Sequence, residues 1–174
     1  MHVFVATDGE IEAFTAADFA SRLAGADGRV TVLTVVEVPR TFLNDVRSHW
    51  GPGDGASVVA DYTFVETPVP RQDGPTGWPG DDAMIERYLR DKLKKNTGPL
   101  VDALRQRMID AEAIVVESEN VTTSIIERVI ELDADVVVIG SHGKGLFTGL
   151  LGSTGTKIVR RSPRPVLLIR SATP

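Results

Sequence analysis

Two runs of this chain are apolar without alternation, RVTVLTVVEV at residues 29–38 and VVVI at 136–139. Both are rich in β-branched side chains, which suit a pleated strand. A strand with one wet face would alternate polar and apolar residues; these runs need cover on both faces, and a parallel sheet layered between helices supplies it. The rest of the pattern agrees. HVFVA at residues 2–6 reads as a first strand ending at the turn signal TDG, after which Ile11, Phe14, Ala17, Phe19 and Leu23 recur at helical spacing until GADG at 25–28 stops the helix. Residues 113–117 read as a third strand, 122–132 as a helix with Ile125, Ile126, Val129 and Ile130 inside, 134–139 as a fourth strand and 166–169 as a fifth. This alternation predicts an α/β fold, a five-stranded parallel doubly wound sheet with helices on both faces. Its 174 residues suffice for one domain, 1–174, with a core of its own.

Residues 39–81 break the pattern. They hold six of the ten prolines, around GPGDG and DGPTGWPG, and are read as a long Pro/Gly-rich insertion within that domain. Phe42, Trp50, Tyr62, Phe64 and Trp78 give the insertion packing material that a solvated linker lacks. It either folds over its own surface or serves as a lid or partner surface. A helix over 82–109 follows, with Ile85, Leu89, Leu93, Leu100, Leu104 and Met108 on one stripe. Pro99 has no N–H and crowds the Lys95 carbonyl, so a kink or split is expected there.

The totals exclude several classes. No apolar run approaches the roughly 18 to 20 residues of a membrane span. The absence of cysteine excludes a disulfide framework or a thiolate metal site and suits a reducing compartment. MHVFVATDGE lacks the basic flank and cleavage site of a signal peptide, so a cytoplasmic location is expected. A formal charge of −5 argues against a nucleic-acid partner.

Chemistry concentrates in GSHGKGLFTGLLGST, residues 140–154, where five glycines follow the apolar fourth strand. The phosphate-loop pattern GxxxxGK[ST] fails because Gly145 follows Lys144, and the dinucleotide pattern GxGxxG fails because Thr148 takes its third glycine position. What remains is a strand running into Gly140 and Gly143, a short apolar turn of Leu146, Phe147, Leu150 and Leu151, and GST opening a helix that ends before Pro163. Two glycine-lined turns beside a helix N-terminus make an anion site, or they are turn geometry alone. Ser153 is available as helix N-cap or as a ligand contact. His142 has three readings, a phosphate contact, a metal ligand or a turn residue, and the three scattered histidines lack metal-ligand spacing.

With DADVVVIGSHG on the fourth strand, GS after a short apolar turn, the terminal RPVLLIR and a first strand ending in Asp8, the chain resembles the universal stress protein family. The ATP-binding branch carries glycine, two residues, glycine, a spacer, then glycine before serine or threonine. Gly140, Gly143 and Gly152–Ser153 match it, with eight residues between Gly143 and Gly152, one fewer than is usual there. Residues 39–81 look unlike a typical member. The resemblance implies a sheet order of 3-2-1-4-5 and a ligand crevice between strands 1 and 4. It implies that Asp8 accepts from ribose or adenine, that Val35 meets adenine through its backbone, and that Gly140, Gly143, Gly152, Ser153 and Thr154 hold phosphates. From the residues alone, Asp8 could equally cap an Asx-type turn before Gly9.

The function so implied is an ATP-binding regulatory module of the stress response, with ATP taken with or without Mg²⁺. A slow ATPase or nucleotide-transferring enzyme of the same fold, and a non-binding member acting through protein contacts, are the alternatives. Asp8, Glu37 and His142 are the polar groups near the crevice, and they do not make the set that phosphoryl transfer requires, so no residue is assigned as catalytic or metal-binding. The fifth strand, with Val166, Leu167, Leu168 and Ile169, is an uncharged apolar edge; pairing with a second copy would cover it, and the resemblance points to the same homodimer.

Overall fold

The elements run β1 (His2–Ala6), α1 (Ala13–Ala24), β2 (Arg29–Val36), α2 (Asp81–Arg105), β3 (Asp110–Glu117), α3 (Val121–Glu131), β4 (Val136–Ser141), α4 (Ser153–Arg161) and β5 (Val166–Arg170). The computed structural model describes residues 1–39, 41–42, 81–141 and 152–170. All five strands are parallel and lie in the order β3-β2-β1-β4-β5.

Alternation of side chains across the sheet divides the core in two. Val3, Val5, Val30, Val32, Val136 and Val138 face α1 and α2, meeting Ala16, Ala17, Ala20, Leu100 and Leu104. Phe4, Ala6, Leu33, Val137 and Ile139 face α3 and α4, meeting Ile125, Val129 and Ile158. The small alanine face of α1 lets that helix approach the valine carpet closely, while the opposite layer carries the larger Phe4 and Leu33. Both faces are thus dry, as the unalternating runs require.

The helix after the insertion does not split at Pro99: it runs unbroken, and both Pro99 and Lys95 are exposed, so water can take the carbonyl that proline leaves unbonded. It also stops at Arg105, leaving Met108 at φ 57° and 93 % exposed rather than on the buried stripe. Burial on α2 runs instead through Met84, Tyr88, Thr97, Leu100, Val101, Ala103 and Leu104. Ile130 of α3, expected inside, is exposed. Of the insertion's aromatics, Phe42 is fully buried against Tyr88, with ring centroids 4.6 Å apart, and packs with Val36 and Met84. Trp50, Tyr62, Phe64 and Trp78 lie outside the described residues. Among the described residues no helix is long and apolar enough to cross a membrane.

Candidate functional site

The chain order explains where a crevice must open. From β1 the chain moves through β2 to β3 with α1 and α2 on one face; it then returns across β1 to β4 and β5 with α3 and α4 on the other. Connections leave β1 and β4 in opposite directions, so no crossover covers the gap beyond their C-terminal ends. A cavity of about 350 Å³ lies there.

Its lining combines three kinds of surface. The floor is apolar, from Ala6, Leu33, Val35 and Ile139 at the strand ends together with Val121, Ile125 and Ile158 on the two helices. Thr7 and Asp8 form the rim after β1, and Gly140 the rim after β4. Gly152, Ser153, Thr154 and Gly155 bring the N-terminus of α4 to the opening. Six of the seven expected site residues therefore share one cavity; the seventh, Gly143, lies outside the described residues, as do His142, Lys144 and the apolar turn.

The start of α4 is one residue earlier than a Ser153 cap would require. Gly152 is the N-cap, at φ −57° and ψ 164°, and its carbonyl accepts from Thr156 N–H at 2.9 Å. It has no side chain to offer as a cap. By helix geometry the N–H groups of the first turn lack intrahelical acceptors, and the positive end of the helix dipole gathers with them at the cavity. The other two capped helices differ. Glu12 accepts from Phe14 and Thr15 N–H at 3.0 and 2.7 Å, bonds led by those from Thr15 that hold its carboxyl below the ordinary carboxylate value, and Asn120 Oδ1 accepts from Thr123 N–H at 3.1 Å.

Among the described residues packing does not explain the glycine: a Cβ built on Gly152 would meet none of their heavy atoms within 4 Å, and its φ is open to any residue. Gly9 is the opposite case, with φ 95° and a built Cβ 3.2 Å from the Asn96 backbone. Before it, Thr7 Oγ1 accepts from Gly9 N–H at 2.9 Å and Asp8 Oδ1 from Glu10 N–H at 3.2 Å. The Asx-turn role of Asp8 is thus present, and the residue lines the cavity as well.

Register exposes Val35. Pairing of β1 with β2 ends at Ala6 opposite Leu33, whose carbonyl accepts from Thr7 N–H at 2.9 Å, while the Val36 carbonyl accepts from Ser118 on the β3 side at 3.1 Å. Backbone groups alternate sides along a strand, so Val35 directs its N–H and C=O to the β1 side, beyond the last β1 pair, at the cavity. Sequence reasoning missed Val121, Ile125 and Ile158 as site residues. Their helical spacing announces burial, but periodicity does not say at which end of the sheet a helix turn lies.

A parallel doubly wound sheet with an apolar crevice and a helix start at its switch point defines a class of open α/β folds. Within that class the chain belongs to the universal stress protein family, whose model matches residues 1–170. It is 30 % identical over 149 residues to universal stress protein Mb2028c of Mycobacterium bovis, a match covering 79 % of this chain and 47 % of that one. The matched stretches span less than half the length of the curated relatives. Among solved structures, hypothetical protein MJ0577 superposes with a TM-score of 0.63 at 15 % identity, covering 99 % of this chain and 97 % of that one. The universal stress protein of Archaeoglobus fulgidus in complex with dAMP gives 0.54 at 19 % identity, covering 97 % and 96 %. Others of this fold were solved with cAMP and with AMP bound.

Proposed function

We propose that this chain is a cytoplasmic regulatory module that binds an adenine nucleotide, ATP with or without Mg²⁺, and transmits its occupancy to partner proteins. The reading treats residues 1–174 as one domain with 39–81 as an insertion. The single observation that carries it is Gly152 ahead of α4, a glycine that no described residue crowds and that offers its helix no side-chain cap, at the mouth of a cavity at the switch point. An apolar floor suits a purine ring, and the backbone of Val35 offers it a donor and an acceptor. Asp8 accepts from ribose or adenine. The N–H groups of Ser153 and Thr154, with Gly140 and Gly143 leaving room for close approach, take the phosphates, to which ATP contributes the triphosphate charge. The nucleotide complexes of structures with the same fold support the ligand class.

Calorimetry with ATP tests this. Gly152→Val puts a branched side chain into space that no described residue fills, so ATP affinity is expected to fall at least about tenfold with the fold retained. Equal affinity in the two proteins would overturn the assignment, and ligand released from freshly purified protein, identified by mass spectrometry, decides which adenine nucleotide it is. The same proposal includes a homodimer through β5, where Val166, Leu167, Leu168 and Ile169 form a sheet edge and Leu168 is 41 % exposed. Leu168→Lys is expected to shift sedimentation toward monomer; a wild type already monomeric at micromolar concentration would refute that interface.

A further inference from the structure

Asn96 sits in the interior of α2, where asparagine is a poor helix former, yet it is only partly exposed. Its Nδ2 donates to Thr34 Oγ1 at 2.9 Å, and Thr34 is fully buried in β2. Its Oδ1 and Cα lie close to the turn after β1: a Cβ added to Gly9 would fall 3.1 Å from the former and 3.2 Å from the latter. One residue thus bonds to the central sheet and packs beside the turn that carries Asp8. Within the turn Thr7 Oγ1 accepts from Gly9 N–H and Asp8 Oδ1 from Glu10 N–H, and Thr7 N–H ties its start to the Leu33 carbonyl of β2 at 2.9 Å. The contact with α2 adds to these at Gly9, where glycine admits both the left-handed φ of 95° and the close approach of the helix.

We propose that Asn96 is the positioning residue for Asp8: it locks the β1–α1 turn so that the Asp8 carboxylate is held at the cavity rim before nucleotide arrives. This rests on the nucleotide-binding reading above and adds a residue on a different element. Preorganisation lowers the ordering cost of binding, so loosening the turn weakens affinity through Asp8 and not through a contact of Asn96 with the ligand.

A double-mutant cycle read by ATP calorimetry on the full chain tests it. Asn96→Ala is expected to lower affinity about tenfold in the wild-type background and to have no further effect beside Asp8→Ala, the signature of two residues acting as one unit. Thr97→Val is the control: Thr97 is buried next to Asn96 but bonds only back to the Leu93 carbonyl within α2, so it perturbs the helix without touching the turn, and affinity should hold. Asn96→Ser replaces the alanine variant if that one does not fold. An Asn96 variant that binds like wild type, or whose effect adds in full to that of Asp8→Ala, overturns the proposal. Hydrogen exchange without nucleotide separates it from the reading it rests on. Faster exchange at Gly9 and Glu10 in the Asn96 variant supports the brace even if the wild type binds no nucleotide, and unchanged exchange refutes it.

Discussion

Glycine at the two ends of this sheet answers opposite demands. At the N-terminal ends of the strands, a Cβ added to Gly28 would fall 2.1 Å from the Ala24 carbonyl oxygen and 2.5 Å from that of Met1; at the C-terminal ends, one added to Gly152 would meet no described residue within 4 Å. The polar groups differ in the same sense. Beside Gly28, His2 N–H donates to Asp135 Oδ2 at 2.7 Å, the His2 ring bridges the Leu132 carbonyl and Thr31 Oγ1 at 3.0 and 2.8 Å, and the Met1 ammonium donates to Ala24 at 3.2 Å. One end is closed by bonds within the chain, while the other presents backbone donors to a cavity. Stability and the proposed binding are therefore assigned to opposite ends of the strands.

The sharpest way to break that contrast is to put the same methyl group at both ends. Gly28→Ala drives a methyl into two backbone carbonyls that cannot move aside without opening the start of β2, and a loss of about 3 kcal/mol of unfolding free energy is expected. Gly152→Ala should stay within about 0.5 kcal/mol of wild type. Urea denaturation measures both; equal losses would mean that the cavity end is packed as tightly as the other.

A smaller effect separates the ends by pH. A carbonyl only accepts, so His2 Nδ1 carries the ring proton toward Leu132 and Nε2 accepts from the Thr31 hydroxyl. Burial dominates and lowers the His2 pKa from its ordinary 6.5; the Leu132 bond opposes this, the Arg29 charge adds to it, and the Asp135 and Asp133 charges oppose it again. Because the folded pKa is the lower one, the unfolded chain binds the proton first as pH falls. Stability should be full above pH 6.5 and decline below it, toward the depressed folded value. Denaturation at about pH 8 and about pH 5.5 checks this. His2→Gln should flatten the profile in that window, and an unchanged decline would assign it to other groups.

The unalternating valine runs made the parallel sheet legible, because only burial on both faces permits them. The strand order came from the family resemblance, and with it the crevice between β1 and β4. What stayed hidden depends on backbone angles and on registers between distant segments. The sequence left Ser153 open as helix N-cap or ligand contact, whereas the α4 boundary at Gly152 is set by φ and ψ, to which composition is blind. Met108 fitted the helical stripe and lies beyond a helix end that no glycine or proline marks. Nothing in the sequence singled out Asn96; the role proposed for it depends on α2 packing over β2 and meeting the turn after β1, a contact joining positions far apart in the chain.

The smallest expected effect concerns the two helix starts at the cavity. Asn120 caps α3 through Thr123 N–H, while Gly152 leaves α4 without a side-chain acceptor, and both helices line the same space. Gly152→Asn should complete the second cap, its Oδ1 taking the Thr154 or Gly155 N–H, and raise stability by roughly a few tenths of a kcal/mol, the usual margin of asparagine over glycine at this position. The same bond withdraws a donor from the phosphates, so ATP affinity should fall as stability rises, an opposition that packing defects do not produce because they lower both. Asn120→Gly is the mirror experiment, costing α3 a similar few tenths of a kcal/mol and leaving affinity unchanged, since its capped N–H was never offered to a ligand. Thermal unfolding and ATP calorimetry on the two variants decide the matter. A Gly152→Asn protein that is stabilised and still binds ATP like wild type would show that the phosphates do not use the start of α4, and would move the anion site to the glycines that follow β4.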